Sequence, residues 1–187
     1  ELLLHALQGK PVVIPKTRGT IRLVLGGARS GKSEYAEKQA LSLNNGCVSY
    51  IATAQAFDVE MEERIALHQQ RRDETWETLE LPFEAANGVL NAQHSTILLD
   101  CLTLLITNWF LRDDERAAEQ EVQRFLEQAK LHQGDTVIVS NEIGSGIVPM
   151  NSLSRKFRDL QGKVNQMVAD AADEVTLVVA GQPIHLK

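Results

Sequence analysis

The sequence predicts an α/β protein whose mostly parallel sheet is covered by helices on both faces. Three observations carry this. Continuous apolar, β-branched runs recur at 21–25, 96–99 and 136–139, and strands buried on both faces read this way. Helix-forming stretches separate those runs, and regular alternation of the two patterns implies a parallel sheet. A glycine-rich loop joins the first strand run to the first helix run, on the edge where open α/β sheets take their ligands.

The elements follow in order. Residues 1–19 read as an extension ahead of one domain over 20–187. Leu2, Leu3, Leu4 and Leu7 make one apolar turn, and Pro11, Pro15 and Gly19 interrupt any regular element after it. Residues 21–26 form the first strand and 31–43 the first helix. A second strand covers 47–52, and a Glu- and Arg-rich helix covers 58–72. A short strand at 75–81 stops before Pro82, and a helix follows over 83–91. The strand run at 96–99 leads through Asp100 into a helix at 102–111. A polar amphipathic helix over 114–132 ends at Gly134. A strand at 136–140, a long helix at 152–172 and a strand at 174–180 complete the alternation, with 183–187 adding an edge strand.

Composition narrows the function classes. A chain of 187 residues, 43% hydrophobic, can bury a core without a disulfide or metal staple. The formal net charge of −6 argues against nucleic acid as the main ligand, because nucleic-acid surfaces are basic. Cys47 and Cys101 sit in apolar, strand-like segments without C-x-x-C spacing, which suits two buried residues in a reducing cytoplasm. The five histidines lack ligand spacing, so no structural zinc is expected. The longest apolar stretch, 96–111, is too short and too interrupted to span a bilayer. The first residues carry no basic, apolar and cleavage-site pattern, so no secretory leader is expected.

Gly26-Gly27-Ala28-Arg29-Ser30-Gly31-Lys32-Ser33 fits G-x-x-x-x-G-K-[ST]. A strand before it and a helix after it supply the context that the motif requires, and place the chain in the P-loop, nucleoside-triphosphate-binding class. Glycines let the backbone wrap a phosphate chain, and the loop amides and helix N-terminus face the anion. Lys32 is placed to reach the β- and γ-phosphates, and the Ser33 hydroxyl to bind Mg²⁺.

Other segments are read against this loop. Asp100 closes a buried strand, where a second Mg²⁺-site carboxylate belongs. An Asp opening a turn is the alternative, and the neighbouring phosphate loop favours the metal. Asn141-Glu142-Ile143-Gly144-Ser145-Gly146-Ile147-Val148-Pro149 follows another buried strand on the same edge. Spacing leaves Glu142 between two roles, holding a metal-bound water or substrate hydroxyl and capping a strand-to-helix loop. Met61, Ile65 and His68 share one helical face. Spacing alone does not separate a packed histidine from an imidazole that attacks phosphorus with Arg71 and Arg72 nearby. Arg155, Lys156 and Arg158 read as a solvated face. The chain has no N-K-x-D, and its D-x-x-G at 159–162 falls inside a helix. A regulatory GTPase or nucleotide-gated switch is therefore disfavoured, and a P-loop small-molecule kinase without a covalent intermediate stays open.

Taken together, the phosphate loop with Leu25, Tyr50-Ile51-Ala52-Thr53-Ala54, the Arg64-Ile65…His68 stretch, Ser140 through Pro149, and Phe157-Arg158-Asp159…Gly162…Asn165-Gln166 closely resemble the bifunctional adenosylcobinamide kinase/adenosylcobinamide-phosphate guanylyltransferase family. The resemblance runs from about Ile21 to Lys187. It implies phosphorylation of the aminopropanol hydroxyl of adenosylcobinamide by ATP or GTP. GMP then passes from GTP to that phosphate through a GMP–histidine intermediate, giving adenosylcobinamide-GDP. By the resemblance His68 is the nucleophile. Ala52, Thr53, Ala54, Gln69, Gln70, Arg71, Arg72, Glu80 and Asp100 join the phosphate loop in the nucleotide site, and Lys32 and Glu142 act in catalysis. It further implies Mg²⁺ on Ser33 and Asp100, a cytoplasmic homotrimer, and no nucleic-acid or membrane partner. Two departures stand out. Leu67 replaces a second histidine that some relatives carry, and Asp73 stands where relatives often have Pro.

Overall fold

The computed structural model describes residues 18–55 and 73–187. Its elements are β1 (Ile21–Gly26), α1 (Lys32–Leu41), a 3₁₀ turn (Asn44–Gly46), β2 (Val48–Ala52), β3 (Trp76–Glu80), α2 (Ala85–Asn91) and β4 (Thr96–Asp100). They continue with α3 (Leu102–Phe110), α4 (Glu115–Leu131), β5 (Thr136–Asn141), α5 (Ser152–Ala171), β6 (Glu174–Val179) and β7 (Gln182–His185). Every strand and helix expected from the sequence within the described residues is present, with ends shifted by a few residues. The expected 58–72 helix lies outside the described residues.

The strands form one sheet in the order β3-β2-β4-β5-β1-β6-β7. β1 to β6 pair in parallel. β7 turns back antiparallel on β6, which is the expected edge strand. The carboxyl ends of six strands therefore share one edge, where ligands of such sheets bind.

Alternation along the strands builds two cores. Leu23, Leu25, Ile97, Leu99 and Ile138 face one side and pack under α2 to α5. Val24, Leu98, Val137 and Val139 face the other and pack with Ala36 and Ala40 of α1. Side chains switch faces at every residue of a strand, so an unbroken apolar run supplies both faces at once. Small residues at 36 and 40, one helical turn apart, let α1 lie close on the sheet.

Local chemistry sets the element ends. The Asp114 and Asn151 side chains accept from the Ala117 and Leu153 amides and cap α4 and α5. α1 stops at Leu41, short of the expected 43, because Leu43 turns extended at φ −99 and ψ 150, and Asn44, Asn45 and Gly46 then take φ of 43, 68 and 77. Asn and Gly tolerate that left-handed region, which ends a right-handed helix.

Two residues of the expected extension touch the sheet-bearing body. Arg18 grips both oxygens of Asp173 at 2.9 and 3.0 Å, and the Gly19 amide donates to His132 O. A Cβ on Gly19 would meet Gly134 O at 1.8 Å. Cys101 is buried as expected, but Cys47 is half-buried, standing just ahead of β2. No helix among the described residues is long and apolar enough to cross a membrane.

Candidate nucleotide site

Gly26 ends β1 in a space that only glycine fits. A Cβ there would lie 2.4 Å from Ser30 Oγ and 2.8 Å from Val178 O. The loop then turns through Arg29 and Gly31, at φ of 56 and 90. Ser30 is buried and closes it from inside. The Lys32 amide donates to Ser30 Oγ at 3.3 Å, and the Ser30 amide donates to Gly27 O. The N-cap Gly31 offers no side-chain hydrogen bond to α1, and the positive end of the helix dipole points into the loop, where it favours an anion. Lys32 Nζ donates to Gly27 O at 3.2 Å, which folds the ammonium back over the loop. Ser33 follows in the first turn of α1 and is half-buried.

A second segment braces this loop. The Gly181 amide in the β6–β7 turn donates to Ser30 O at 2.8 Å. A Cβ on Gly31 would approach Gly181 Cα to 3.2 Å. Nothing in the sequence pattern linked residue 181 to residue 30. The contact exists because β6 lies beside β1 and the tight turn after it reaches back across the sheet edge.

Asp100, Ala52 and Glu80 come into one row. Ala52 pairs in register with Glu80 on one side and with Asp100 on the other. The Tyr50 hydroxyl donates to Asp100 Oδ2 at 3.1 Å. Burial pushes the Cys101 thiol up to about 12, and the Asp100 charge adds to this while the Lys32 ammonium opposes it. Asp100 ends β4 and Lys32 opens α1 directly after the loop that follows β1. Among the described residues no three His, Cys, Asp or Glu side chains gather to hold a metal. A hydroxyl and one carboxylate suit Mg²⁺, which keeps few protein ligands and completes its shell with phosphate oxygens and water.

Thr53 is buried, and each of its polar groups has a partner in the protein. Its amide lies 3.4 Å from Asp100 O, and its hydroxyl donates to Cys101 O at 2.7 Å and accepts from the Cys101 amide at 2.9 Å. Its carbonyl accepts from Asn108 Nδ2, which also donates to Pro82 O. Thr53 therefore ties the ends of β2 and β4 together, with Ala52 and Ala54 on either side of it half-buried.

Glu142 stands next to the loop. Its amide donates to Gly26 O at 3.0 Å, and its carboxylate accepts from the Gly144 amide at 2.7 Å. Both backbone groups of the residue just before it are held. The Asn141 amide donates to Thr103 Oγ1 at 2.9 Å, and Asn165 Nδ2 donates to Asn141 O at 3.0 Å. Asn165 Oδ1 in turn accepts from Ser140 Oγ and Gln161 Nε2. Spacing had singled out neither Thr103 nor Gln161. The available signal was a pair of amide side chains, 161 and 165, one turn apart on the buried face of α5.

The expected basic face of α5 is only partly solvated. Arg155 donates to Pro149 O at 2.9 Å and to Met150 O at 2.6 Å, pinning the loop ahead of the helix. His68, Gln69, Gln70, Arg71 and Arg72 lie outside the described residues.

Known proteins resemble this chain over most of its length. The profile of the cobinamide kinase / cobinamide phosphate guanyltransferase family matches residues 22–186. The bifunctional adenosylcobalamin biosynthesis protein CobP of Pseudomonas aeruginosa is 45% identical, over 88% of this chain and 96% of that protein. The bifunctional adenosylcobalamin biosynthesis protein CobU is 40% identical in Escherichia coli and 41% in Salmonella typhimurium, each over 88% of this chain and 98% of that protein. Among solved structures, the flagellar accessory protein FlaH from Methanocaldococcus jannaschii superposes with a TM-score of 0.52 at 12% identity, covering 91% of this chain and 79% of that one. The KaiC-like protein PH0186 from Pyrococcus horikoshii does so with 0.51 at 11% identity, covering 86% and 71%. At such identities these two likenesses speak for the fold alone.

Proposed function

This chain belongs to the cobinamide kinase / cobinamide phosphate guanyltransferase family, and from that premise we propose how its residues divide the work. The enzyme is bifunctional and uses nucleotide substrates. It phosphorylates adenosylcobinamide and then transfers GMP from GTP to the resulting phosphate.

In the first reaction the hydroxyl oxygen of the substrate's aminopropanol arm attacks the γ-phosphorus. The bond from that phosphorus to the bridging oxygen breaks, and the nucleoside diphosphate leaves. Gly26 to Ser33 cradle the triphosphate through backbone amides. Lys32 stabilises the charge that grows on the transferred group. Glu142, next to Asn141 whose backbone N–H and C=O are held by Thr103 and Asn165, accepts the proton of the attacking hydroxyl. Ser33 and Asp100 would hold Mg²⁺, which neutralises charge on the phosphate oxygens when bound.

In the second reaction the neutral imidazole of His68 attacks the α-phosphorus of GTP, and pyrophosphate leaves. An oxygen of adenosylcobinamide phosphate then attacks the phosphoramidate, the P–N bond breaks, and His68 is regenerated. Ala52, Thr53, Ala54, Gln69, Gln70, Arg71, Arg72 and Glu80 form the rest of the nucleotide site, Thr53 by holding its neighbours in place. The working assembly is a cytoplasmic homotrimer.

One observation carries the reading. Lys32, folded over Gly27, shares a sheet edge with Glu142 in a chain that matches the family across nearly its whole length. The test is to incubate the purified chain with adenosylcobinamide and GTP. Both the phosphorylated and the GDP-linked products are expected. Absence of both, with GTP bound, would sink it.

A further inference from the structure

A cavity of about 390 Å³ opens between the end of α3 and the start of α5. Phe110 lines it from the end of α3 and Leu111 from just beyond, Leu153 and Phe157 from α5, and Ile143 from the loop between β5 and α5, with Arg158 beside them. The Phe110 and Phe157 rings meet edge to face, 5.2 Å apart. The same β5–α5 loop, whose Ile143 and Pro149 line the cavity, carries further exposed apolar side chains. Ile147 and Met150 are 96% and 99% exposed, and Leu111 and Leu153 are more than half exposed. An apolar pocket flanked by exposed large apolar side chains marks a binding site.

We propose that this cavity and its apolar rim seat the corrin macrocycle of the substrate, a placement that rests on the kinase reading above. Position argues for it. Ile143 lines the cavity, and the adjoining Glu142 is hydrogen-bonded to the carbonyl at the mouth of the phosphate loop. A macrocycle seated here lies next to the edge where its hydroxyl arm must meet the γ-phosphate.

Chemistry agrees. A corrin ring is a broad, methyl-fringed, largely apolar body carrying amide side arms. The cavity is too small for the whole ring and takes one edge, while Ile147 and Met150 cover the remainder. Among the described residues the Arg158 guanidinium pairs with Asp159 Oδ1 at 3.5 Å, and its five N–H donors suit amide carbonyls. An apolar pocket with one well-placed polar group is how proteins hold such ligands.

Equilibrium dialysis of cobinamide, which absorbs visible light, tests this on the full chain with a non-hydrolysable GTP analogue present. Leu111→Ser with Leu153→Ser alters two exposed side chains and leaves the core intact. The double variant is expected to bind cobinamide at least tenfold more weakly and the GTP analogue within about twofold of the parent. Arg158→Gln is expected to weaken cobinamide binding severalfold. Unchanged cobinamide affinity in both variants overturns the placement. A change in assembly mass with cobinamide affinity unchanged also overturns it and gives the surface to a second copy of the chain. Failure of the parent protein to bind cobinamide at all, while still binding nucleotide, defeats the kinase reading itself and the placement with it.

Discussion

The backbone amide of Glu142 donates to the carbonyl of Gly26 across 3.0 Å. This bond joins the end of β5 to the mouth of the phosphate loop. It brings Glu142, from the second half of the chain, to the loop whose next carbonyl, Gly27 O, holds Lys32. The proposed division of labour depends on that adjacency.

Lys32→Ala should leave the fold intact and remove transfer. The only side-chain bond that Lys32 makes among the described residues is to Gly27 O, so far-UV circular dichroism should be unchanged. The kcat for phosphorylation should fall by about 10²–10³, as when one preorganised donor to a transition state is deleted. A loss under tenfold would remove Lys32 from the catalytic set.

His68→Ala should abolish guanylyl transfer and spare much of the kinase step. With α-labelled GTP, the parent protein should take up acid-labile, alkali-stable label, and the variant none. Equal labelling of both would refute the intermediate.

Asn165→Ala should separate positioning from binding. It removes the acceptor of the Ser140 hydroxyl, leaves Gln161 Nε2 with Ser140 Oγ as acceptor and takes the Asn165 donor from the Asn141 carbonyl. Urea unfolding should show a loss of about 1–3 kcal/mol, the cost of orphaned buried polar groups. The kcat for phosphorylation should fall about tenfold while the KM for nucleotide stays near the parent value, because the phosphate loop is not touched. A loss of stability with kcat unchanged would make the network purely structural.

Asp135→Asn should show a pH-dependent penalty. Burial alone would raise this carboxyl, but the Thr20 amide, Arg22 and the Asn44 side chain outweigh it and hold it below the usual carboxylate range. A depressed folded value means that the ionised group stabilises the fold above pH ~4. That stabilisation disappears as pH falls through the folded value. Thermal melts should place the variant about 1–2 kcal/mol below the parent at pH 7, with the gap closing below pH 4. A gap that persists at pH 2 would show that shape and not charge is responsible.

Much of the fold was legible because strands and helices leave periodic traces. The runs at 21–25, 96–99 and 136–139 are apolar on both faces, and the structure uses both faces of each. The phosphate loop was equally plain, because a backbone that wraps a polyphosphate needs glycine at set positions. Boundaries were harder. α1 ends early because Leu43, a good helix former, turns extended. Arg18 is held by a partner 155 residues away.

The amino-acid order by itself determined the class of sheet, the place of the phosphate loop and the family, since these depend on local periodicity and short motifs. Only the tertiary structure decided that Gly181 braces Ser30, that Thr103 and Asn165 clamp Asn141, and that an apolar cavity opens beside Glu142. Each of these contacts joins residues far apart in the chain. Burial and hydrogen bonding act on distance in space, and strand order sets that distance without leaving a periodic mark in the sequence.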